Sequence, residues 1–418
     1  MHEFIANTPI QTRQSSFDKH ERLLAFLSAE ALNRIAEYQT GKQSPRVDLW
    51  NTVGTKSEKD WANANATQPI DYRAYHWQQI QARYKLLEES YGIKKTGRTI
   101  LTDNDSEYQL IVKENIRHRI DSGDFVVRRA NFTHCVPCGY IIAPVDAGIN
   151  KCPICHKEDL DRLETEGLFA PISHKNRHKI IEETDIYPES ARKSLRRVVS
   201  TLPDLIQLSK QRRFGIQLSE FGVDERFVLD PKIPLALMGN VVGEMGLGQL
   251  KAFVQGIDSI GNLAPYVYIA DPNSHYSYVN IGLVPPFNKD TLNDQNRSFY
   301  TTFLPLIMVS YPNGIDVQQR LVLFKEFNRT ARQFQYVMSL IDHASTDGLS
   351  TIDADLKLPL QDIFRLYNQY KTHEGALLIR QFIYESLSRD YLIHCREQRI
   401  RPNPQMLQQL KNIFSLVY

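Results

Sequence analysis

Four cysteines in two Cys-x-x-Cys pairs are the residues whose types and spacing point most directly to chemistry. Cys135 pairs with Cys138 and Cys152 with Cys155, and thirteen residues separate the two pairs. Each pair brings two sulfurs to one side of a tight turn, and the intervening loop folds back to supply the second pair, as four thiolates around a tetrahedral Zn²⁺ require. Because protein fills all four positions, we expect a structural zinc ion and not a catalytic one.

Composition excludes several classes of function. The 418 residues carry 50 Lys and Arg against 48 Asp and Glu, so the net charge of +2 gives no overall electrostatic case for nucleic-acid binding. The opening MHEFIANTPIQTRQ has no apolar signal core, and no apolar run approaches the roughly 20 residues of a membrane span. We therefore expect a cytoplasmic protein without a membrane partner. In that compartment the cysteines bind metal, and two disulfides are the disfavoured alternative.

The elements that position these residues begin with a strand–helix–strand unit. Glu3–Asn7 and Val47–Asn51 are the predicted strands. Between them, Asp18 and Glu21 form a capping box for a helix that runs to about Tyr38. Such a unit predicts a doubly wound parallel sheet, with ligands beyond the carboxyl ends of the strands and near the start of the helix.

Further elements follow along the chain. Residues 70–130 and Ile180–Leu208 are predicted to be mostly helical, and the final stretch, about 345–418, is predicted to be helical and rich in polar residues. The remaining strand signals lie at Pro234–Met238, Tyr266–Ala270 and Arg320–Phe324.

The order of several segments is typical of one family. The chain opens FIANTPI; YGIKKTGRTILTDND and SGDFVVRRANFTHCVPCG lead into the cysteine pairs, and DIYPESARKSLRRVV, LPDLIQLSKQRRFGI and FYTTFLPLIM follow them. This order, from about residue 3 to 370, resembles the methionyl-tRNA synthetases among the class I aminoacyl-tRNA synthetases. The resemblance implies an α/β fold with a Rossmann-type parallel sheet core formed by 1–132 and 167–344. A zinc-knuckle insertion at 133–166 interrupts this core, and a short helical domain at 345–418 closes it.

Two signature motifs of this family are replaced here. Where a His-x-Gly-His motif is expected, at the junction of the first loop and first helix, the chain reads Asp18-Lys19-His20-Glu21. The Lys-Met-Ser-Lys-Ser loop is expected after Arg320–Phe324, where basic residues stand without the motif. The resemblance implies that Lys19 and His20 are catalytic and neutralise ATP phosphate charge; the alternative is a solvated first helical turn. The residues implied for ATP and phosphate binding are Thr8, Pro9, Lys325, Arg329 and Arg332; for the last three, the alternative is a basic loop without a binding role.

The expected substrate pocket also departs from the family. The family holds the substrate ammonium with an aspartate in a Gly-Thr-Asp context, and here Gly54-Thr55 is followed by Lys56, which reverses the charge. As functional residues, Lys56 would bind a carboxylate and Glu58 would bind an amine. In the alternative interpretation, both belong to a surface loop without a binding role. Free methionine is not the expected substrate, since Lys56 would repel its ammonium. The implied substrate-binding residues are Ile10, Lys56, Glu58 and Tyr300.

Three functional hypotheses follow. The first is a ligase that activates an amino acid with ATP and Mg²⁺ and acylates a small acceptor in a biosynthetic pathway instead of tRNA; a redox step would need a protein partner from that pathway. The second is a catalytically silent synthetase-like protein that serves as a binding or regulatory subunit. The third is a divergent aminoacyl-tRNA synthetase. The short final stretch and near-neutral charge disfavour tRNA as a partner, and the first hypothesis is the one we favour.

Overall fold

A computed structural model shows a mixed α/β protein with a parallel sheet core, as the sequence predicts. It describes residues 2–7, 9–12, 20–91, 93–137, 141–142, 150–152, 155–256, 259–282 and 359–391, with single residues at 393 and 397. The strands are β1 Glu3–Asn7, β2 Ile10–Gln11, β3 Val47–Asn51, β4 Thr99–Thr102, β5 Val126–Cys135, β6 Ile141–Ile142, β7 Leu160–Pro171, β8 Ile186–Tyr187, β9 Leu205–Gln207, β10 Ser209–Gln211, β11 Phe227–Leu229, β12 Gln249–Gly256 and β13 Ser277–Ile281. The helices are α1 His20–Thr40, α2 Thr55–Thr67, α3 Tyr72–Tyr91, α4 Ser106–Asp121, α5 His174–Glu183, α6 Arg192–Ser200, α7 Lys232–Ala236, α8 Met238–Glu244, α9 Ile260–Ala270, α10 Leu360–Asn368 and α11 Thr372–Gln381.

The parallel core consists of two sheets that meet at the first strand segment. One sheet has the order β1-β12-β13-β8, and the other has the order β2-β3-β4. All pairings within both sheets are parallel. Only two residues separate β1 from β2. Strand β1 pairs with β12 in the first sheet, whereas β2 pairs with β3 in the second, so the direction of pairing reverses at this break. This reversal is the topological switch point at which doubly wound folds bind ligands.

Helix α1 is fixed to the core by hydrogen bonds and buried charges. The Asn33 side chain accepts from the Ile5 backbone N–H at 2.9 Å and donates to the Ile5 carbonyl at 2.7 Å. Arg98 donates to Glu30 of α1 at 2.8 Å and to Asp48 of β3 at 2.6 Å, and all three side chains are buried. These ion pairs raise the pKa of Arg98 against the opposing effect of its burial. A paired and desolvated group of this kind holds α1 in one position against the sheet.

An antiparallel sheet carries the cysteines. Its order is β6-β5-β7-β9, and β5 ends at Cys135. Phe132 of β5 packs against Phe169 and Phe227, with ring centroids 6.2 and 5.2 Å away. Gly167 leaves room for these rings, because a Cβ there would lie 2.9 Å from the Phe132 ring. The aromatic packing thus supports the strand end that presents Cys135.

Several sequence predictions are corrected by the structure. Pro234–Met238 was expected as a strand but lies in α7 and the start of α8, and Tyr266–Ala270 belongs to α9. Residues 70–130 are mostly helical, as predicted, through α3 and α4, and they also include strand β4 and part of β5. Helix α9 was mistaken for a strand because its residues are buried on almost every side. Its Tyr, Val and Ile residues favour strands, and the sequence lacks the one-sided apolar pattern that identifies a surface helix.

The described part of the final stretch is helical, as predicted. Helices α10 and α11 pack together, and a π-helix at Phe382–Tyr391 follows. The predicted strand Arg320–Phe324 lies outside the described residues. The domain boundaries stay predictions. Among the helices that the structure describes, none combines the length and apolar character needed to cross a membrane.

Candidate functional site

The cysteine sulfurs converge at the end of β5. The Sγ atoms of Cys135, Cys152 and Cys155 all lie within 4.8 Å of one another, and Cys135 and Cys152 are fully buried. The turn that carries the second pair is tight, because the Cys152 N–H donates to the Lys157 carbonyl at 2.8 Å and the His156 N–H donates to the Cys152 carbonyl at 2.9 Å. Cys138, the fourth predicted ligand, lies outside the described residues.

The three thiols fit a zinc ion. The Cys135 and Cys155 sulfurs are 3.4 Å apart, well beyond the length of about 2.05 Å of a disulfide bond. Thiolates about 2.3 Å from a tetrahedral Zn²⁺ lie just under about 4 Å from one another, which the observed cluster approaches. The geometry therefore supports a metal site of at least three thiolates, and four ligands remain the prediction for it.

A second set of polar groups lies at the carboxyl ends of β3 and β4. Asp103, directly after β4, accepts hydrogen bonds from the backbone N–H of Thr52 at 2.8 Å and of Val53 at 3.1 Å. The Thr52 hydroxyl also contacts this carboxylate, and the Asn104 amide donates to the same hydroxyl at 2.6 Å. Burial raises the pKa of Asp103 to about 6, although these hydrogen bonds oppose the shift. The ends of two neighbouring strands are thus tied by one buried carboxyl group.

His76 joins this set from the first turns of α3. Its Nδ1 lies 2.6 Å from the hydroxyl of Thr12, which follows β2. The Nε2 atom is buried and has no hydrogen-bond partner among the described residues. Burial lowers the pKa of His76 to about 4, so the imidazole is neutral at neutral pH. The Tyr72 hydroxyl, one turn earlier, donates to the Thr52 carbonyl at 2.6 Å.

A cavity of about 310 Å³ opens between α3 and these strand ends. Its residues come from three segments: the end of β3, the first turns of α3 and the loop that joins β4 to α4. They are Thr52, Arg73, Ala74, His76, Trp77, Thr102, Asn104 and Asp105.

Glu58 of α2 contributes an acceptor atom near the same edge. Its carboxylate is half-buried, and its Oε1 has no hydrogen-bond partner among the described residues. Burial raises the pKa of Glu58, and the charge of Arg212 and the backbone N–H groups of Arg213 and Phe214 oppose this shift. The Phe214 ring stacks on Tyr72 with centroids 3.6 Å apart. Glu58, Tyr72, His76 and Asp103 thus form a cluster of perturbed titratable groups, which is typical of functional sites.

The other sheet also presents buried amides at its carboxyl edge. Gln255 of β12 donates from Nε2 to the Asn280 side-chain oxygen at 3.1 Å, and both residues are fully buried. Asn280 in turn donates to the Tyr187 carbonyl at 3.1 Å. The Gln255 Oε1 has no hydrogen-bond partner among the described residues. An amide oxygen in this state can accept from a ligand donor.

The structure describes only part of the predicted site. Pro9 precedes β2, Ile10 is its buried first residue, and His20 is the first residue of α1. Lys56 is exposed on the first turn of α2 and does not line the cavity. The roles of all these residues stay predictions. The predicted site residues outside the described residues are Thr8, Lys19, Tyr300, Lys325, Arg329 and Arg332.

Sequence reasoning missed most of this cluster. Thr12, Tyr72, His76 and Asp103 were not singled out, although Asp103 follows a short apolar segment in the pattern Thr-Asp-Asn-Asp. Recognition of β4 as a strand would have placed Asp103 at a carboxyl end of the sheet. His76 carries no comparable signal, because its partner Thr12 is 64 residues away in the chain.

Comparison with known proteins supports the fold. No family model matches the sequence, and no curated protein sequence matches it. The chain is similar in structure to Mycobacterium tuberculosis methionyl-tRNA synthetase in complex with methionyl-adenylate, with a TM-score of 0.63 and 14% identity over 100% of this chain and 88% of that one. The apo form of that enzyme gives a TM-score of 0.59 and 14% identity over 100% and 86%. At this identity the likeness establishes a methionyl-tRNA-synthetase-like fold alone.

Proposed function

We propose that this chain is an ATP-dependent ligase that activates an amino acid as its adenylate and passes the acyl group to a small acceptor instead of tRNA. The proposal starts from a fold shared with a synthetase whose structure holds methionyl-adenylate. An amino acid, ATP with Mg²⁺ and a small acceptor are its proposed substrates. A protein partner from the same pathway would supply any redox step.

The observation that carries the proposal is the cluster of buried polar groups at the carboxyl edge of the sheet. Doubly wound folds bind ligands at this edge. Glu58 and His76 each keep a buried polar atom without a partner among the described residues near the ends of β3 and β4, and Gln255 keeps one near the end of β12. Because an unsatisfied buried polar atom destabilises a fold, each of these atoms is a place where a bound ligand would stabilise the protein.

Glu58 is the proposed anchor of the substrate ammonium. Its Oε1 is an open acceptor, and a cation beside it would favour the ionised carboxylate. Burial raises the pKa of Glu58, so the carboxyl group takes up a proton at a higher pH than an ordinary glutamate. Amino-acid binding is therefore expected to weaken as pH falls through that raised pKa.

Adenylate formation requires positioning and charge neutralisation more than covalent catalysis. The substrate carboxylate attacks the α-phosphorus, the bond to the bridging oxygen breaks, and pyrophosphate leaves. The N-terminus of α1 follows the first strand segment, and helix N-termini favour phosphate. Lys19 and His20 at this terminus, with Lys325, Arg329 and Arg332, are the proposed sources of positive charge.

Zinc has a structural role in this proposal. The ion would be held by Cys135, Cys138, Cys152 and Cys155. By binding thiolates from both turns of the knuckle, it would cross-link those turns. No step of the reaction passes through the metal.

The test is amino-acid-dependent ATP–pyrophosphate exchange across the twenty common amino acids and small analogues. We expect exchange with at least one of them, and an exchange rate at subsaturating amino acid about tenfold or more lower in Glu58→Gln. Glu88→Gln, an exposed carboxylate on α3, is the matched control and is expected to retain wild-type exchange. Absence of exchange from folded, zinc-loaded protein would overturn the proposal and favour the silent binding subunit.

A further inference from the structure

The cavity beside α3 has a polar floor and a cationic, aromatic rim. Thr52, Asn104 and His76 form the polar part, and Trp77 is 40% exposed at its edge. The Nζ atom of Lys95 lies 4.8 Å from the centroid of the Trp77 ring. A volume of about 310 Å³ suits a small molecule.

Two residues of α3 reach this cavity from one face of the helix. Arg73 and His76 are three residues apart, a spacing that puts both side chains on the same side of a helix, and both line the cavity. Arg73 is exposed, whereas His76 is only 2% exposed. A ligand that contacts both residues therefore places an anionic group outward and a hydrogen-bonding group inward.

The two acidic residues near the cavity floor are engaged by hydrogen bonds within the protein, so His76 is the buried residue that remains to contact a ligand. The Asp105 carboxylate accepts from the backbone N–H of Thr102 at 2.7 Å and from its hydroxyl at 2.9 Å. Asp103 is engaged by the backbone of Thr52 and Val53. The Thr12 hydroxyl donates to the Asn51 carbonyl at 3.4 Å and therefore accepts from Nδ1–H of His76, so Nε2 is the ring nitrogen that can accept from a ligand.

We propose that this cavity binds the acyl acceptor, and that the acceptor is a small amine that bears a carboxylate. Its carboxylate pairs with Arg73 at the rim, and its amine donates to His76 Nε2 at the floor. This inference rests on the proposed ligase function, which supplies the acyl-adenylate. Thr12 links His76 to the end of β2, so the acceptor amine lies beside the switch point where the adenylate is proposed to form.

The transfer step balances for an acceptor that is an ammonium in solution at neutral pH. The ammonium first releases one proton to solvent. The nitrogen of the neutral amine then attacks the acyl carbon, and a C–N bond forms. The bond between that carbon and the phosphate oxygen breaks, and AMP leaves with the electron pair on its phosphate. The proton released by the nitrogen passes to Nε2 of the neutral His76 imidazole, which acts as a general base.

Binding can be tested without any turnover through the fluorescence of Trp77. The chain has three tryptophans, and Trp50 and Trp61 are 0% and 7% exposed. Glycine, methylamine and acetate are the probes, because they carry both groups, the amine alone and the carboxylate alone. We expect glycine to change the emission at concentrations about tenfold lower than either partial probe, and the change to vanish in Trp77→Phe.

Variants of α3 assign the contacts. Arg73→Ala and His76→Gln are each expected to weaken glycine binding by about tenfold or more. Lys85→Ala, a 76% exposed residue of the same helix, is the control and is expected to bind as wild type. Equal binding of the three probes, or unchanged binding in both variants of proven fold by circular dichroism, would overturn the inference.

A second readout separates this inference from the proposed function. In wild type, decay of a preformed acyl-adenylate is expected to accelerate on addition of a carboxylate-bearing amine. His76→Gln is expected to slow this transfer by about a hundredfold when the acyl-adenylate is supplied preformed, so that the measured rate does not depend on adenylate formation. Transfer at the wild-type rate in folded His76→Gln contradicts a role in transfer. No exchange in wild type refutes the ligase, and the fluorescence titration still decides whether the cavity binds its ligand.

Discussion

The cysteine cluster and the carboxyl edge of the parallel sheet are built in opposite ways. The cluster is assembled from two short turns, and its ligands were evident from spacing. The edge draws Thr12, Thr52, His76 and Asp103 from four separate segments, with hydrogen bonds between residues 64 and 51 positions apart in the chain. The cluster therefore depends on local sequence, and the edge depends on the whole fold.

This difference also separates what each region can do. Zinc held by the four predicted thiolates would have no open position, so we expect the cluster to stabilise the fold and not to react. The edge contains neutral His76, Asp103 with a raised pKa and open acceptor atoms, which can bind and transfer protons. Each prediction below should affect one region and spare the other.

The largest effect is expected from loss of a zinc ligand. Cys135→Ser removes a buried thiolate, and we expect bound zinc to fall from about one ion per chain to near zero. Stability should fall by at least about 5 kcal/mol, a part of the roughly 10–16 kcal/mol that structural zinc contributes in small domains. Metal analysis and chemical denaturation measure both quantities. Cys395→Ser, at the one cysteine of the sequence outside the two Cys-x-x-Cys pairs, is the control, and equal zinc content in both variants would contradict the assignment.

The next effect concerns the buried charges that hold α1 against the parallel sheet. Arg98→Ala leaves Glu30 and Asp48 buried without their common partner, and we expect a loss of about 3–5 kcal/mol in the free energy of unfolding. Urea denaturation at neutral pH measures it. Zinc content should stay at the wild-type level. A loss below about 1 kcal/mol would show that the three charges do not act as a buried unit.

A third prediction uses two titrations at the edge that oppose each other. Asp103 has a folded pKa of about 6 against about 3.9 unfolded, so its contribution to stability decreases as pH rises through 4 to 6. His76 has a folded pKa of about 4 against about 6.5 unfolded, so its contribution increases as pH rises through 4 to 6.5. Each contribution is about 3 kcal/mol, and they largely cancel.

Single variants should expose each slope. Relative to wild type, Asp103→Asn should gain stability as pH rises from about 4 to 6, and His76→Gln should lose stability over the same interval. Denaturant midpoints at several pH values measure the differences. Parallel pH profiles of stability for the two variants would contradict the opposite pKa shifts. Altered zinc content in either variant would show that the effect of the substitution is not confined to the edge.

The smallest effect is expected at the link between β2 and α3. Thr12→Val removes the hydroxyl that contacts His76 Nδ1, and we expect a loss of about 1–2 kcal/mol. Thr67→Val, at an exposed hydroxyl at the end of α2, is the control and should change stability by less than about 0.5 kcal/mol. Nitrogen NMR of His76 gives a second readout, since only Thr12→Val should shift Nδ1. Identical spectra in both variants would contradict the contact.

The same contrast explains what the sequence could predict. Strands Glu3–Asn7 and Val47–Asn51 were predicted with the bounds that the structure shows, and the helix between them ends within two residues of its predicted end. These elements have local signals: apolar period, a turn at each end and one buried face. The α/β fold followed from them through the handedness and layering of strand–helix–strand units.

The remaining errors have a tertiary cause. In α9, Pro265 and the surrounding apolar residues give no helical pattern, and only burial between sheet and neighbouring helices stabilises the helix. Asp103 and His76 acquire their perturbed pKa values from burial in the folded protein, which no local pattern reveals. Glu58 was singled out by position alone, and its open carboxylate oxygen became evident only in the structure.

The most direct test of the proposed activity is to identify the products of ATP in a single turnover. ATP labelled at the α-phosphorus, the zinc-loaded full chain and the amino acid selected by exchange should yield an enzyme-bound acyl-adenylate, then AMP when the acceptor is added. Attack at the α-phosphorus predicts AMP and pyrophosphate as the only cleavage products. Formation of ADP, or no amino-acid-dependent cleavage by folded protein, would contradict an adenylate-forming ligase.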